Sequence, residues 1–314
     1  MMKENHFWKK DILLAPYTTF KIGGPASYFK EIKEKQELEM ALREIQKNNL
    51  PYFVLGAGSN ILISDQGFKG AILKMNNTSY QISPKTGEVE VEAGAKLSKI
   101  LGETVKNNLT GLEWSAGIPG TMGGAIYVNC GAFNKQMSDY VKQVLVYQFL
   151  DSQWRWQIYN QESCHFDYRG SIFQKSDDII WQVGLILTAG KKEKSMEEMK
   201  NYLTQRKIKQ PLNYPTAGCI FKNVLIEEYP ELIKKIPNAP VIEGKIPAGW
   251  FIEQYGLKKF QIGQAMISEQ HANFIINLGG ARAQDVLGLI KVCQEKIFEK
   301  FGVKLELEIQ LVGF

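Results

Sequence analysis

The chain has 314 residues, of which 44% are hydrophobic, and it contains 28 glycines and 11 prolines. This length and composition exclude a disordered, collagen-like or fibrous protein, and they allow two globular domains. The net charge is only +5, from 38 basic and 33 acidic side chains. Because the basic residues form no run typical of a nucleic-acid-binding arm, small anionic ligands are more expected partners than nucleic acid.

Neither the start of the chain nor its apolar runs indicate a targeting or membrane segment. The first ten residues, MMKENHFWKK, are charged where a signal peptide needs an apolar stretch. The most apolar run, residues 179–190, is far too short to cross a bilayer. We therefore expect a cytoplasmic protein without membrane insertion.

The cysteine and histidine spacings predict neither a disulfide framework nor a metal site. The cysteines are far apart and form no C-x-x-C motif, and the histidines complete no zinc-ligand spacing. These residues are Cys130, Cys164, Cys219 and Cys293, and His6, His165 and His271. Any cysteine with a function is therefore expected to act singly.

In the first half of the chain, short β-like runs alternate with helical patterns. A helix is predicted over 34–48, where apolar residues recur at helical spacing before Pro51. Strands over 52–55, 71–75 and 89–92 precede a second helix over 97–107, and strands over 141–149 and 179–187 follow it. The mixture indicates either an α+β or an α/β fold.

A charged helix is predicted next, over 195–209, and it ends before Pro211. Its alternating Lys and Glu are more typical of a solvated linker helix than of a binding surface, so we place the domain boundary here. Beyond it the pattern predicts a helix over 248–255, a strand over 274–277, a helix over 283–301 and a final alternating strand over 305–312.

Two glycine clusters, GAGSN at 56–60 and GIPGTMGG at 117–124, are candidate anion sites. Glycine permits a positive φ and lets backbone N–H groups approach a phosphate without a Cβ in the way. The first cluster is not a Rossmann fingerprint, because Ile61 replaces the third glycine and an apolar run follows in place of a helix. Either cluster alone is equally compatible with tight turns. Two clusters in one domain favour a dinucleotide.

Seven sequence blocks, in order and over nearly the whole chain, closely resemble the UDP-N-acetylenolpyruvoylglucosamine reductase (MurB) family. They are TTFKIGGPA (18–26), VLGAGSNILISDQGFKG (54–70), GIPGTMGGAIYVNCGAF (117–133), FDYRGSIFQ (166–174), PTAGCIFKN (215–223), AGWFIEQYGLKKFQIGQAMISEQHANFIIN (248–277) and LELEIQLVG (305–313). Seven blocks at compatible spacing are far more specific than either glycine cluster alone.

The resemblance implies an α+β flavoprotein with a two-part FAD-binding domain of the type found in vanillyl-alcohol oxidase and p-cresol methylhydroxylase. A lead-in at 1–17 precedes this domain at 18–195, and an α+β substrate-binding domain occupies 196–314. One strand and one charged helix fill the interval between Gln174 and Pro215. The chain therefore resembles the family's shorter form, which lacks an inserted loop with a substrate-clamping tyrosine.

The activity implied by the resemblance is an NADPH-dependent reduction. NADPH reduces the bound FAD and leaves. The enolpyruvyl ether of UDP-N-acetylglucosamine then takes a hydride from flavin N5 at its terminal methylene carbon and a proton at the neighbouring carbon. The product is UDP-N-acetylmuramate, a precursor of peptidoglycan, and no obligate protein partner is evident.

Three residues match the catalytic positions of the family. Arg169 matches the catalytic arginine, and a planar guanidinium grips a carboxylate with two parallel hydrogen bonds. Glu308 matches the catalytic glutamate, proposed to stabilise the enol-like intermediate and to assist proton delivery. Glu306, on the same face of the predicted strand, is the competing candidate. Cys219 stands where most relatives have the proton-donating serine, and a thiol, with a pKa of about 8.5, gives up a proton more easily than an alcohol.

Both Arg169 and Cys219 also have structural interpretations. An isolated arginine most often forms an ion pair, and an isolated cysteine is most often a small core residue. The flanking blocks favour the catalytic role in both cases. Cys130, Cys164 and Cys293 keep the structural interpretation.

By the same resemblance, FAD is bound by the two glycine clusters and by the segment that follows the second cluster. The residues are Gly56, Gly58, Ser59, Asn60, Gly117, Ile118, Pro119, Gly120, Gly123, Gly124, Asn129 and Gly131. The residues expected to contact the substrate are Tyr168, Lys222, Asn223 and His271. Of these, Tyr168 is equally compatible with a core position, and a single histidine is more often structural.

Two other functions remain open. The cysteine at position 219 is compatible with a catalytically impaired relative that binds FAD or a UDP-sugar in a regulatory role, although the retained Arg169 and Glu308 argue against it. An FAD-linked oxidase of the wider superfamily explains none of the C-terminal blocks.

Overall fold

The structure is a computed structural model that describes residues 7–314. The residues MMKENH of the charged start, which include His6, lie outside the described residues. Helices and mostly antiparallel sheets occur together, which confirms the α+β expectation. The helices are α1 (Lys35–Lys47), α2 (Leu97–Lys106), α3 (Met122–Tyr127), α4 (Lys192–Lys209), α5 (Leu232–Lys235), α6 (Ala248–Tyr255) and α7 (Ala283–Phe301).

The strands form two larger sheets and several small ones. The strands are β1 (Lys9–Leu13), β2 (Pro25–Ile32), β3 (Tyr52–Leu55), β4 (Ile61–Ile63), β5 (Phe68–Met75), β6 (Tyr80–Ser83), β7 (Glu88–Glu92), β8 (Leu109–Thr110), β9 (Gly131–Ala132), β10 (Lys135–Gln136), β11 (Val141–Leu150), β12 (Gln153–Asn160), β13 (Ile179–Ile186), β14 (Thr188–Ala189), β15 (Val224–Leu225), β16 (Lys245–Ile246), β17 (Gln261–Ile262), β18 (Ala265–Ile267), β19 (Ile275–Asn277) and β20 (Gln310–Val312). One larger sheet has the order β1-β2-β5-β3, with β3 and β5 parallel, and the other has the antiparallel order β12-β11-β13-β7-β6.

The chain divides into two compact units. The first unit contains the described residues up to Asp11, Ser27–Ala57 and Gly70–Arg206, and the second contains Ile12–Ala26, Gly58–Lys69 and Lys207–Phe314. The functional domains predicted at 1–17, 18–195 and 196–314 stay a prediction.

Each unit has buried apolar residues of its own. In the first unit, Ile100 of α2 and Val183 of the five-stranded sheet belong to one apolar cluster, and Leu42 of α1 and Leu73 of β5 belong to another. In the second unit, the core lies between α6, α7 and the sheet β17-β18-β19. In the described part of the chain, every helix is too short or too polar to span a membrane.

Helix α1 illustrates how the local sequence forms these elements. Its apolar residues recur at three- and four-residue spacing, so they share one buried face. They are Leu38, Ala41, Leu42 and Ile45. Glu34 and Glu37 form a reciprocal capping box at the start, which satisfies backbone amides that the first turn leaves unpaired. Pro51 follows the end of the helix, and no helical pattern continues past it.

Most predicted elements are confirmed to within three residues at each end, but the final strand is not. Of the predicted span 305–312 only Gln310–Val312 forms a strand, β20, which pairs in parallel with β4. Before that the chain pairs with another segment, since the Glu308 amide donates to the Ile220 carbonyl at 2.8 Å. The change of partner bends the chain, so the alternating pattern does not continue as one strand.

The expectation of a solvated linker helix is wrong for one face of α4. Ser195 and Arg206 are buried, and Met199 and Tyr202 pack against the core of the first unit. These residues are spaced by four, three and four positions, which places them on one side of the helix. The sequence pattern concealed this face because two of its four residues are polar.

Candidate active site

Gly56, the first residue of the first glycine cluster, lies beside the second cluster within the first unit. Gly56 follows β3 directly, and a Cβ added to it would lie only 2.7 Å from Oγ1 of Thr121 in the second cluster. The same Thr121 oxygen accepts a hydrogen bond from the Gly124 amide at 3.3 Å and so caps α3. A side chain at position 56 would displace this contact, which gives the glycine a structural reason.

Backbone pairing with residues 93–97 holds the second cluster. Leu97 donates to the Gly120 carbonyl at 3.1 Å, and Gly123 donates to the Ala93 carbonyl at 2.9 Å. A Cβ on Gly123 would lie 2.8 Å from the Cβ of Ala93, so this position also packs closely. The loop ahead of it is accessible: Gly117 and Pro119 are exposed, and Ile118 and Gly120 are half-buried.

The first cluster carries a run of available backbone donors. Within residues 7–314, the amides of Ala57, Gly58 and Ser59 donate no hydrogen bond to another backbone group. Gly58 has a φ of +63°, and its carbonyl accepts from the Thr19 amide at 3.0 Å in the second unit. Successive amides without internal acceptors suit a diphosphate. The residues present therefore fit the predicted dinucleotide.

Arg169 lies in a tight turn of the first unit. The turn is closed by two backbone hydrogen bonds of 3.1 Å between Asp167 and Gly170. Arg169 itself has a φ of +55°, a left-handed conformation that is uncommon for a residue with a Cβ. Its guanidinium donates to the Gly131 carbonyl at 2.7 Å and lies over the Tyr168 ring at 5.4 Å. Tyr168 is half-buried, so it is not a fully buried core residue.

Asn129 anchors this turn to the end of α3. Its side-chain amide donates to the Asp167 carbonyl at 3.0 Å and to Gln136 Oε1 at 3.2 Å, and its side-chain oxygen accepts from the Ser138 amide at 3.0 Å. Asn129 is fully buried and has a φ of +42°. The side chain predicted to contact FAD is thus engaged within the protein, where it positions the turn that carries Arg169.

Cys219 and Glu308 lie on neighbouring extended segments of the second unit. The segment 219–222 pairs on one side with Phe274, through Cys219, and on the other with Leu307, through Phe221. The Glu308 amide donates to the carbonyl of Ile220, the residue next to Cys219, at 2.8 Å. The structure therefore brings together two of the three predicted catalytic residues within this unit.

Glu308 occupies the point where the C-terminal segment changes partner. Its own carbonyl accepts from Asn60 Nδ2 at 3.0 Å, and the Gln310 amide donates to the Asn60 carbonyl at 3.0 Å. Asn60, predicted to bind FAD, thus fixes the backbone of Glu308. Glu306, the competing candidate, has a side chain that is 66% exposed and pairs with Lys222 at 3.4 Å. The half-buried environment favours Glu308 over Glu306.

The remaining predicted substrate residues are also in the second unit. Lys222 is half-buried and bonded to Glu306, and Asn223 Oδ1 accepts from the Ala248 amide at 3.2 Å. His271 Nδ1 accepts from the Asn273 amide at 3.3 Å, so the neutral ring carries its proton on Nε2. Burial lowers the pKa of His271, which favours this neutral form.

The four cysteines differ in exposure. Cys164 and Cys293 are buried, and burial raises the pKa of each thiol to about 12. Cys130 and Cys219 are half-exposed. The structural interpretation of Cys164 and Cys293 is therefore confirmed. In the part of the chain that the structure describes, no group of three or more His, Cys, Asp or Glu side chains is arranged to hold a metal ion.

The sequence reasoning missed two residues at the glycine clusters. Thr121 was identifiable in principle, because threonine before a helix is a common N-cap. Arg206 of α4 was not, because it stands in a charged helix. Its Nε and Nη2 donate to the carbonyls of Ala116 and Trp114 at 2.8 and 3.2 Å, directly before Gly117.

Comparisons with known proteins match two parts of the chain to family models and nearly all of it to individual reductases. A family model described as an FAD binding domain matches residues 26–152, and the model of the UDP-N-acetylenolpyruvoylglucosamine reductase C-terminal domain matches residues 210–312. The reductase of Anoxybacillus flavithermus is 38% identical over 306 residues, covering 97% of this chain and 94% of the relative. That of Caldanaerobacter subterraneus is 38% identical over 297 residues, covering 95% and 91%.

A solved structure gives the same result for the fold. The crystal structure of the reductase (MurB) from Thermus caldophilus matches with a TM-score of 0.77 and 33% identity, over 98% of this chain and all of that one. The predicted FAD-binding fold is confirmed by these matches. The interval between Gln174 and Pro215 holds β13, the two-residue strand β14 and α4, where one strand and one charged helix were predicted. The chain belongs to the UDP-N-acetylenolpyruvoylglucosamine reductase family.

Proposed function

We infer that this protein is an FAD-dependent oxidoreductase that uses NADPH to reduce UDP-N-acetylglucosamine enolpyruvate to UDP-N-acetylmuramate, a step in peptidoglycan precursor synthesis. The observation that carries this inference is the extent of the similarity. An FAD-binding match and a reductase C-terminal match occupy 26–152 and 210–312, and 38% identity to a reductase extends over 97% of the chain. Because the substrates are a nucleotide sugar and NADPH, both cytoplasmic metabolites, we also assign the enzyme to the cytoplasm.

We assign the binding of FAD to the two glycine clusters. When bound, FAD supplies the two-electron carrier through which a hydride passes from NADPH to the terminal methylene carbon of the enolpyruvyl group. The glycines at positions 56 and 123 allow close backbone packing, and the amides of 57–59 provide donors for phosphate oxygens. Asn129 acts on this site indirectly, through the turn that it holds.

Arg169 is assigned to the substrate carboxylate. Hydride addition to an enol ether moves negative charge into that carboxylate, so a fixed cation lowers the energy of the transition state. The bond to Gly131 and the closed turn hold the guanidinium in one place before the substrate arrives. A group that is already oriented does not have to reorganise during the reaction.

Cys219 is assigned as the proton donor, and Glu308 as the carboxyl group that stabilises the enol-like intermediate. Cys219 is half-exposed, as a residue that meets a ligand must be, whereas Cys164 and Cys293 are buried. Proton transfer from Cys219 to the carbon next to the methylene completes the reduction and leaves a thiolate, which regains a proton from solvent. The backbone bond between Glu308 and Ile220, the residue after Cys219, supports a joint action of Cys219 and Glu308.

Lys222, Asn223 and His271 are assigned to the binding of the remaining substrate groups. The cation of Lys222 suits a diphosphate, and the Nε2 proton of a neutral His271 suits a carbonyl or phosphate oxygen as acceptor. The impaired-relative alternative is disfavoured, because Arg169 and Glu308 are retained and the similarity spans both matched domains.

The experiment that tests the function is anaerobic. The purified yellow protein is titrated with NADPH until the flavin absorbance is lost, and UDP-N-acetylglucosamine enolpyruvate is then added. We expect the absorbance to return in proportion to the substrate added. UDP-N-acetylglucosamine, which lacks the enolpyruvyl group, is the control and should restore nothing. If NADPH bleaches the flavin but the substrate does not restore its absorbance, the proposed reaction is contradicted and the impaired relative is supported. In a separate sample, the reduced flavin is exposed to oxygen without substrate, and rapid recovery of its absorbance supports an oxidase.

A further inference from the structure

Lys74 is a half-buried cation at the sheet edge where the first glycine cluster begins. It lies on β5, and its cross-strand partner on the parallel strand β3 is Leu55, the residue before Gly56. Parallel strands end at the same edge of a sheet. Lys74 and Gly56 are therefore close neighbours at that edge, although 17 residues separate them in the chain.

The alternation of β5 determines the face on which Lys74 lies. Ala71, Leu73 and Met75 belong to the apolar cluster that contains α1. Because successive side chains of a strand point to opposite faces, Ile72 and Lys74 lie on the other face. Residues of α1 share the apolar cluster on one face of the sheet, and Lys74 lies on the opposite face.

The ammonium group of Lys74 has little compensation for its burial. Its Nζ donates to the Met75 carbonyl at 3.4 Å, and no carboxylate in residues 7–314 forms an ion pair with it. Burial lowers the pKa of Lys74, the charge of Glu31 opposes this, and the positive charge of Lys96 lowers it further. Partial burial and a nearby second cation both raise the free energy of the charged lysine. Binding of an anion therefore stabilises this charge.

Lys96 belongs to the same neighbourhood by its backbone. It forms an antiparallel bridge with Thr121, whose Oγ1 a Cβ at position 56 would meet at 2.7 Å. Two lysines, one half-buried and one exposed, thus lie beside the junction of the two glycine clusters. The chemistry of this group is that of a site for a multiply charged anion, with backbone amides and ammonium groups as donors.

We propose that Lys74 is an FAD-binding residue whose ammonium group pairs with the diphosphate of the cofactor, and that Lys96 adds to the same positive field. This inference rests on the FAD dependence proposed above. It extends the cofactor site beyond the glycine clusters to a residue that no sequence motif identified.

The test measures the affinity of the flavin-free full-length chain for FAD and for riboflavin, by the quenching of flavin fluorescence. Replacing Lys74 with methionine keeps an unbranched side chain only one atom shorter and removes its charge. We expect Lys74→Met to raise the Kd for FAD by about 10- to 100-fold, the effect of losing one charge-assisted hydrogen bond. The Kd for riboflavin, which has no phosphate, should stay unchanged. Lys96→Met should cause a smaller loss, because Lys96 is exposed.

Lys69→Met is the matched control, since Lys69 is exposed on the same strand, and it should leave both affinities unchanged. Added salt should weaken FAD binding more steeply in the wild-type protein than in Lys74→Met, because salt screens the ionic contact. An unchanged Kd for FAD in Lys74→Met, or an equal loss for FAD and riboflavin, overturns the proposal. A wild-type chain that binds no FAD contradicts the proposed function instead.

A measurement on the unmodified protein avoids any effect of substitution on folding. Acylation of lysine amines is followed by mass spectrometry with and without FAD. We expect FAD to protect Lys74 and to leave Lys69 reactive. Equal labelling of Lys74 in the two samples also overturns the proposal.

Discussion

The turn that carries Arg169 and the paired segments that carry Cys219 and Glu308 are positioned in different ways. Backbone bonds close the turn itself, but side chains fix it to its surroundings, since Asn129 donates to the Asp167 carbonyl and the Arg169 guanidinium to the Gly131 carbonyl. The paired segments depend mainly on the backbone, because the bond between Glu308 and Ile220 joins two main-chain groups, although the Asn60 side chain also donates to the Glu308 carbonyl. Substitutions elsewhere should therefore disturb Arg169 more readily than Cys219 or Glu308, whereas substitutions of Cys219 and Glu308 themselves should act on chemistry alone.

The largest effect is expected for Cys219→Ala. Removing a general acid lowers a rate by about 10²- to 10⁴-fold, and we expect a loss of this size in the product-forming half-reaction. Bleaching of the flavin by NADPH should continue at the wild-type rate, since it needs no proton from Cys219. Cys219→Ser should retain substantial activity. Both half-reactions are measured separately by anaerobic flavin absorbance. Normal product formation by Cys219→Ala would remove the thiol from the mechanism.

The two glutamates near the C-terminus provide a matched pair. Glu308→Gln keeps the backbone bonds and removes the ionisable carboxyl group, so we expect a loss of about 10²-fold in product formation without a change in folding. Glu306→Gln should have little effect, because its exposed side chain only pairs with Lys222. Single-turnover reoxidation with the substrate distinguishes the variants. Equal losses in both contradict the assignment of Glu308.

Asn129→Asp tests the dependence of Arg169 on a neighbouring side chain. The carboxylate still accepts from the Ser138 amide, but it cannot donate to the Asp167 carbonyl. We expect product formation to fall by about 10-fold or more, because the turn loses a buried hydrogen bond. Arg169→Lys in the same background should then cost less than it does in the wild-type protein, since the two substitutions disturb one contact network.

Asn76→Ala is the control for Asn129→Asp, because Asn76 donates an exposed hydrogen bond of 3.3 Å to Glu31 in the same unit. It should leave the kinetics unchanged. Full additivity of Asn129→Asp and Arg169→Lys would mean that Asn129 does not position the turn.

The smallest effect concerns stability at low pH. Burial alone would raise the pKa of Glu113, but hydrogen bonds from Ser195 Oγ (2.6 Å) and the Gly111 amide (2.8 Å) outweigh it and lower the pKa below its usual 4.5. When the pKa of a carboxyl group is lower in the folded than in the unfolded protein, its ionised form stabilises the fold. This stabilisation is complete above the pKa of the unfolded protein and is lost as the pH falls through the lower pKa of the folded protein. Glu113 therefore stabilises the contact between α4 and the segment around Gly111 within the first unit at neutral pH.

Thermal unfolding of wild-type protein and Glu113→Gln between pH 7 and pH 3 measures this contribution. We expect the wild type to be more stable by about 1–2 kcal/mol at neutral pH, and the difference should shrink below pH 4.5. Glu88→Gln removes an exposed ion pair with Lys142 and should change stability less. A difference that stays constant down to pH 3 contradicts the role assigned to Glu113.

Local sequence patterns determined most of the secondary structure. A helix or strand with one apolar face has apolar residues at a regular spacing, and this spacing is visible in the sequence. The helices over 248–255 and 283–301 were predicted with the observed ends, Gly256 and Gly302 following them in left-handed conformation. The final strand was not predicted with its observed ends, because the segment around Glu308 pairs with two different partners. Pairing with distant segments cannot be read from the spacing of apolar residues in the sequence.

The blocks of residues around Arg169, Cys219 and Glu308 identified the family and the reaction from sequence alone, because chemistry requires particular side chains at particular positions in a motif. Only the tertiary structure decided how those residues are held. It left Glu308 half-buried and Glu306 exposed, bonded the Asn129 side chain to the turn of Arg169, and placed Lys74 opposite Leu55, the residue before Gly56. Register between strands and burial depend on contacts between residues far apart in the chain, and these contacts exist only once the chain has folded.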